Sequence, residues 1–561
     1  MRSRLDFRSL WTATFSDGRW LWLLLLLPVA LFLPALPIDE TRYLAVAWEM
    51  RAHGDFLVPH LNGATYSDKP PLLFWLINAA WTVFGLNVWS VRLGVLAASF
   101  ASVVLFERLV RRLDPDAQLA RNAAFILMGM IYFALFSSAI MFDVLLATWV
   151  LIALHGAVDL DAQRWRRGTL LLAVGFGLGI LTKGPVVLLD AGLAIAFAPW
   201  WSETAKNNKA KWYGCLGLAI LGGAALALAW AIPAAISGGP NYANAIFLHQ
   251  TVDRLAKSFA HRRPMWWYFT VVPFMVVPWT IAMRASWPAW RSGFHNSKSI
   301  RFAVAWAMPA FVAFCLVSGK QPHYLLPLLG AVALYFAIVL RQPGAKVSSM
   351  LFVIALVASG IVLAALPVFA AHVAEIPRVQ SIVHRYDVTS DSLRVIAGLS
   401  PLCGLCIVAI GMMLMAVPRM RHSIRAVALS CAAVAAVSAL GLAQMMDPTI
   451  DVSVAAARIK QIQESGRPIA HLAWHHGLFE FAGRLTQPLP YVTFGELHEW
   501  CVAHPDGEIV TLYTKYPIPV KPEAEIPYRF GKITFWRAAD IIPVQLVPAP
   551  KQTEDDETAD D

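Results

Sequence analysis

The chain has 561 residues, of which 58% are hydrophobic and 15% charged, with 46 Lys and Arg against 36 Asp and Glu. That balance excludes a soluble single-core enzyme and a disordered chain. The net charge of +10 is no sign of nucleic-acid binding, because the basic residues collect in short loops between apolar runs. Apolar stretches of about 17–25 residues, each able to cross a hydrocarbon core of about 30 Å, recur through the first four-fifths. They are solidly apolar rather than alternating, so the reading is a polytopic α-helical membrane protein and not a barrel.

In chain order, hydropathy predicts about thirteen transmembrane helices, centred near residues 28, 100, 130, 149, 175, 192, 224, 276, 310, 331, 360, 405 and 435. The fifth and sixth share a break at Lys183-Gly184-Pro185. The first, Trp20 to Leu36, follows Arg2, Arg4, Arg8 and Arg19 like a secretory leader. It lacks a small-x-small cleavage site, and an uncleaved helix is expected. With the N-terminus cytoplasmic, alternate loops holding Arg111 and Arg112, Arg164 to Arg167, Lys206 to Lys211, Arg284 to Lys298, Arg341 and Lys346, and Arg419 to Arg425 all fall inside.

Past about Asp447 the texture changes. Residues 468–472, 508–513 and 532–536 read as strands, and 451–465 and 495–503 as helices. The division expected is a transmembrane domain over 1–446, a small external α/β domain over 447–545 and a disordered acidic tail over 546–561. Cys215, Cys315, Cys403, Cys406 and Cys431 lie in apolar spans, leaving Cys501 without a partner for a disulfide in the external section. There is no internal repeat, phosphate-binding loop or dinucleotide fingerprint.

The outward side collects the polar chemistry. Asp39-Glu40-Thr41-Arg42-Tyr43 stands where the first apolar run leaves the membrane, and a charge near bilayer depth is by default a functional candidate. The first outer loop carries Tyr66, Asp68 and Lys69 before Pro70-Pro71, with amphipathic segments at 41–53 and 72–84 that suit the interface. Later outer turns present Asp143, Lys183, a loop with His249 and Arg254, and then Lys320, His323 and Tyr324. Cations here suit a lipid-linked phosphate and a carboxylate suits a general base. A flippase with midplane charges and repeats, or a scaffold with interfacial anchors, are the readings from other classes.

These motifs resemble those of the GT-C class of polyprenyl-phosphate-sugar glycosyltransferases. The nearest likenesses are the bacterial lipid A aminoarabinose transferases and the protein O-mannosyltransferase-like family (glycosyltransferase family 39). The resemblance rests on 39–43, 54–63, Tyr66-Ser67-Asp68-Lys69-Pro70-Pro71, Met141-Phe142-Asp143, Leu181 to Pro185 and Ser318 to Pro327. It implies a GT-C fold with interfacial helices in the first outer loop and an external α/β domain. The enzyme it implies moves a sugar such as 4-amino-4-deoxy-L-arabinose from undecaprenyl phosphate to lipid A, another glycan or a protein. The expected setting is the periplasmic face of the bacterial inner membrane, and inversion is the family expectation.

By the same resemblance Asp39 and Asp143 are catalytic, and Lys69, Arg254 and Arg42 hold the donor phosphate. Tyr43, Tyr66, Lys183, Lys320 and Tyr324 line the cavity. Asp68 and His249 are the implied ligands of a divalent metal, although the family's Glu-Lys-Pro-Pro reads Asp68-Lys69-Pro70-Pro71 here. One His and one Asp fall short of a four-ligand site.

Overall fold

A computed structural model describes residues 18–247, 263–281, 297–342, 350–372, 396–398, 400–417, 423–512, 518–528 and 531–544. Among these residues, seven helices are long and apolar enough to cross a membrane. The helices Arg19–Phe32, Leu72–Phe84 and Leu402–Ala416 are shorter and equally apolar. The chain is therefore a multi-pass helical membrane protein. Two of the expected spans are broken. The one near 130 divides at Gly129, where an added Cβ would stand 2.7 Å from the Ala428 backbone, so close helix contact fixes the break. The one near 276 centres just beyond the short helix Trp267–Met275.

We number the helices in chain order. Helix α1, Arg19–Phe32, climbs one side of the bundle. After a turn, α2 (Asp39–His53) and α3 (Leu72–Phe84) form the loop expected to be the first outer one, together with the two-residue strands β1 (His60–Leu61) and β2 (Ala64–Thr65). Helices α4 (Val88–Leu113), α5 (Ala117–Met128), α6 (Ile131–Phe136), α7 (Phe142–Asp161) and α8 (Trp165–Lys183) follow. Residues 72–84, expected at the interface, do form a helix of their own.

Loops with the basic residues meet at one end of the bundle. Arg19 and Arg111 pair with Glu107, and Arg112, Arg164 and Arg167 with Asp159. Lys298 pairs with Asp161 and Arg341 with Asp114. Carboxylates buried at that end are thus compensated several times over, which a low-dielectric interior requires. The opposite end carries Asp39, Asp143, Lys183 and His323.

The sheet near the C-terminus has five strands in the order β4-β3-β5-β7-β6. Strands β3 (Ile469–Leu472), β5 (Glu508–Leu512) and β7 (Gly531–Arg537) match the expected positions, as do the helices Ser453–Glu464 and Leu497–Ala503. Two strands were not expected, β4 (Tyr491–Val492) and β6 (Ala524–Tyr528). Each lies at an edge. The first is two residues long and the second contains Pro527, which an edge tolerates because one side of it needs no amide donor.

This section rests on the first outer loop. Asn62 makes a two-way amide bridge, donating to the Leu489 carbonyl at 2.8 Å and accepting from the Leu489 amide at 2.7 Å. Trp48 Nε1 donates to the Leu485 carbonyl at 2.7 Å, and Trp81 stacks on Phe481 with centroids 4.9 Å apart. Gly477, at φ +77°, lies against α2, where a Cβ would stand 2.8 Å from Leu61 and 3.1 Å from Ala45. A side chain there would be strained by the positive φ and would crowd Leu61 and Ala45.

A titratable cluster lies just behind this contact. His475 Nε2 donates to the Leu489 carbonyl at 3.2 Å, so its Nδ1 must accept, and Glu480 Oε1 faces it at 3.3 Å. The pair closes as a hydrogen bond when Glu480 carries the proton. Burial pushes the Glu480 carboxyl up to about 7, and holds the His475 and His471 imidazoles down to about 4 and about 3. Unfolded histidines take up protons near 6.5, so these two remove stability as pH falls below that value. Glu480 works the other way between its unfolded 4.5 and its folded 7, one proton against two. Hydrogen exchange at β3 should therefore speed up between pH 7 and pH 5. Glu480→Gln should steepen that dependence, since the amide cannot take up the compensating proton. A pH-independent exchange rate at β3, corrected for intrinsic chemistry, would contradict this account.

Candidate active site

Asp39 opens α2, and its partners follow at the spacing that puts residues on one helical face. Arg42 Nη2 donates to Asp39 Oδ1 at 2.7 Å and Tyr43 Oη donates to the same oxygen at 3.0 Å. Glu40, about 100° further round the helix, points away into the bundle. It accepts from Arg92 Nη1 at 2.9 Å and Nη2 at 2.5 Å, and from the amides of Leu36 and Ile140. Arg92 also donates to the Leu33, Pro34 and Ser138 carbonyls. Of the two adjacent carboxylates, then, Glu40 ties three segments together and Asp39 stays 41% exposed.

Burial acts to raise the Asp39 carboxyl, but the charge and hydrogen bond of Arg42, the Tyr43 hydroxyl and His323 outweigh it. The group is held below the usual carboxylate range and is ionised at neutral pH. Burial and the adjacent Asp39 push the Tyr43 phenol well up, so Tyr43 stays a donor. Its ring packs edge-on against Phe142 at 4.8 Å, which couples α2 to the start of α7.

Asp143 lies in the first turn of α7, where the helix dipole favours a carboxylate. It is 2% exposed. Lys183 ends α8 and donates to Asp143 Oδ1 at 2.5 Å, with its ammonium 4.2 Å from the centroid of the Tyr324 ring. The helix stops there because Gly184 takes φ +76°, a left-handed value that suits glycine, and Pro185 follows.

His323 joins the two carboxylates. Its Nε2 lies 3.9 Å from Asp143 Oδ2, its ring packs against Phe136 and Tyr324, and it interacts electrostatically with Asp39, Lys183 and Lys69 as well. It is held by a 3₁₀ segment, Pro322–Leu328, in which Pro322 and Pro327 lack amide donors and favour the tighter turn. Asp39, Arg42, Tyr43, Lys69, Asp143, Lys183, His323 and Tyr324 thus belong to one site. Tyr66 is buried, stacked edge-on to Phe74 at 6.0 Å and electrostatically linked to Arg42.

Lys320 is taken up by backbone carbonyls. The residue is 2% exposed, and its ammonium donates to the carbonyls of Val317 and, at 3.1 Å, Arg263. It ties the turn before His323 to the Arg263 backbone. Arg254 and His249 lie outside the described residues. Among those residues no three His, Cys, Asp or Glu side chains converge as a metal site. Asp68 alone supplies one ligand, short of the four to eight that zinc or calcium takes. His323 appears in the sequence beside Tyr324, but no periodicity or spacing singles it out as the bridge.

Residues 68–236 match the family described as dolichyl-phosphate-mannose-protein mannosyltransferase. The crystal structure of ArnT from Cupriavidus metallidurans bound to undecaprenyl phosphate superposes with a TM-score of 0.68, covering 94% of this chain and 98% of that one at 18% identity. The chain has a GT-C fold. By sequence it is similar to the undecaprenyl phosphate-α-4-amino-4-deoxy-L-arabinose arabinosyl transferase of Pseudomonas aeruginosa strain UCBPP-PA14, 32% identical over 54% of this chain and 55% of the relative. The transferase of the same name from Serratia proteamaculans is 28% identical over 58% of each chain. The chain spans about half the length of the curated relatives it matches. The GT-C fold accounts for the placement of the site, since a long first outer loop brings Asp39 and Lys69 to the end where α7 begins and α8 stops.

Proposed function

We propose that this protein is an integral membrane glycosyltransferase that moves a sugar from an undecaprenyl phosphate donor to an envelope acceptor such as lipid A. The observation that carries the reading is the joining of Asp39, Arg42 and Tyr43 to Asp143, Lys183 and His323 at one end of an apolar bundle. A donor with a polyprenyl tail would reach that end from the lipid. The names of the similar arabinosyl transferases favour 4-amino-4-deoxy-L-arabinose as the sugar and the match over 68–236 supports the donor class. The orientation proposed has this end on the periplasmic face and the N-terminus in the cytoplasm, from the loop charges. Residues 447–545 are read as the external unit that shapes the acceptor side of the site, and the tail expected over 546–561 lies outside the described residues.

In the reaction, Asp39 takes the proton of the acceptor hydroxyl as its oxygen forms a bond to the sugar C1. The bond from C1 to the donor phosphate oxygen breaks, and its electron pair leaves with undecaprenyl phosphate. Lys69 and Arg254 stabilise the charge that grows on that phosphate. Arg42 keeps Asp39 ionised and stands beside the same charge. Asp143 and Lys183 form a fixed pair that orients His323 and the sugar. Attack from the face opposite the phosphate gives inversion. If Asp68 and His249 hold a divalent cation, it would supply further charge at the phosphate, and no step requires it.

The test is transfer of labelled sugar from undecaprenyl phosphate by membranes holding the protein, offered lipid A and a Ser/Thr peptide separately. Labelled lipid A supports the proposal. Labelled peptide alone would move the acceptor to protein, which the family matched by residues 68–236 favours as the second reading. Donor translocation with neither product labelled would make the protein a transporter. Lys69→Ala and Arg254→Ala should each raise the donor concentration for half-saturation by about tenfold to a hundredfold, the loss of one charge-assisted phosphate contact at about 1.5–3 kcal/mol. Unchanged donor saturation in both variants removes the phosphate assignment.

A further inference from the structure

Asp159, fully buried near the end of α7, draws three guanidiniums. Arg112 on α4 donates to its Oδ1 and, at 3.2 Å, to the His155 carbonyl. One guanidinium bonded in this way already meets a buried carboxylate's need for a counter-ion. Arg164 Nη1 lies further off, 3.5 Å from Oδ1, and Arg167 Nε lies 3.2 Å from Oδ2. Their side chains are 59% and 61% exposed, and each spends at most one of its five donors on Asp159. Arg166 is exposed in the same turn, and the exposed Lys211 sets its ammonium 4.5 Å from the centroid of the Trp165 ring. The neighbouring Asp161 is taken up by Lys298 and Ser202. Nor do these cations serve their helix, because Arg164, Arg166 and Arg167 stand at the N-terminal end of α8, where the dipole disfavours positive charge.

The surface beside the cations decides which anion fits. Helix Lys209–Asn244 starts at the same end as α8 and packs closely on it, with Gly222 and Gly223 against Ala173 and Phe176. One to two turns along from Arg166 and Lys211, Leu170 and Leu218 are exposed on these two helices. A phosphate in solution gains nothing from apolar side chains, whereas a phospholipid carries its phosphate and its acyl chains together. We propose that the starts of α8 and of helix Lys209–Asn244 form a binding site for the headgroup phosphate of an anionic phospholipid. Arg164 and Arg167 present forked donors to the phosphate oxygens, Arg166 and Lys211 add charge, and the acyl chains run along Leu170 and Leu218. Trp165 is the kind of residue that settles at the headgroup level, and basic pockets between membrane helices suit such lipids. The site does not rest on the glycosyltransferase reading. The orientation proposed above puts it in the cytoplasmic leaflet.

The experiment is native mass spectrometry of the full chain in detergent, titrated with phosphatidylglycerol or with phosphatidylcholine of the same acyl chains. Wild type should hold phosphatidylglycerol at least about tenfold more tightly. Arg164→Gln/Arg167→Gln should weaken that binding about thirtyfold, the loss of two surface cations, with phosphatidylcholine unchanged. This variant also strips two partners from Asp159, so Arg166→Gln/Lys211→Gln is measured beside it. Neither of those residues pairs with a carboxylate among the described residues, and a similar weakening is expected with an unchanged melting midpoint. Arg121→Gln/Arg341→Gln removes two cations elsewhere at the same end and should bind like wild type. Equal binding of the two lipids by wild type overturns the proposal, as does phosphatidylglycerol binding that survives in Arg166→Gln/Lys211→Gln. Equal weakening in the Arg121→Gln/Arg341→Gln control shows a general charge effect and overturns it too. Displacement of phosphatidylglycerol by millimolar glycerol phosphate marks a site for soluble phosphate and overturns the lipid assignment. None of these results bears on sugar transfer, and a wild type that transfers no sugar leaves the lipid site standing.

Discussion

Asp39→Asn is expected to abolish sugar transfer while leaving the protein folded and in the membrane. The amide oxygen of Asn still accepts from Arg42 and Tyr43, whose bonds both fall on Oδ1, so the local geometry survives. What is lost is the ability to take a proton, and general-base catalysis contributes about 10²–10⁴ in rate. Because Arg42, Tyr43 and His323 hold the carboxyl below its usual range against the effect of burial, the active ionised form is present at neutral pH. It is lost only as pH falls below the ordinary carboxylate value of 3.8. The wild-type rate should therefore show no acid limb from this group above about pH 4. An Asp39→Asn protein that keeps a tenth or more of the wild-type turnover would remove Asp39 from the base role.

One residue further on, the expected outcome reverses. Glu40→Ala should fail in folding rather than in chemistry. It strands Arg92, whose guanidinium is fully buried, and leaves the amides of Leu36 and Ile140 without their acceptor. Breaking a buried ion pair from one side costs about 3–5 kcal/mol, a large part of the 5–15 kcal/mol that holds a typical domain. Low yield in the membrane and a lowered midpoint by a detergent thermal-shift assay are the readouts. Replacing both partners, as Glu40→Met with Arg92→Leu, should recover part of that loss, since no unpaired charge remains. If Glu40→Ala accumulates and melts like wild type, the clamp between α1, α4 and the start of α7 is not what holds the outer end together.

Much of this was legible in the chain. Apolar length gives the class and the position of most helices, because a membrane crossing requires about twenty residues without water. Arg112, Arg164 and Arg167, grouped on one side by loop charge, meet on Asp159. The strands at 469–472 and 508–512 follow from local pattern. The two edge strands do not, as two residues and a proline-bearing segment carry little periodic signal. The broken span at Gly129 depends on how closely Ala428 approaches, which is a property of the packed bundle.

The opening motif of the outer loop shows where the boundary lies. The sequence by itself determined that Asp39, Glu40 and Arg42 stand together where a leucine-rich helix leaves the membrane, because hydropathy is additive along the chain. It could not say that Glu40 turns inward to Arg92 and that Asp39 turns toward Tyr43 and His323. Nor could it say that Lys320 binds carbonyls while Lys183 binds Asp143. Those assignments depend on which side chains face each other across segments up to 284 residues apart, as Asp39 and His323 are. Only the packed tertiary structure sets those distances, and at bilayer depth the distance decides whether a charge is a structural tie or a reactive group.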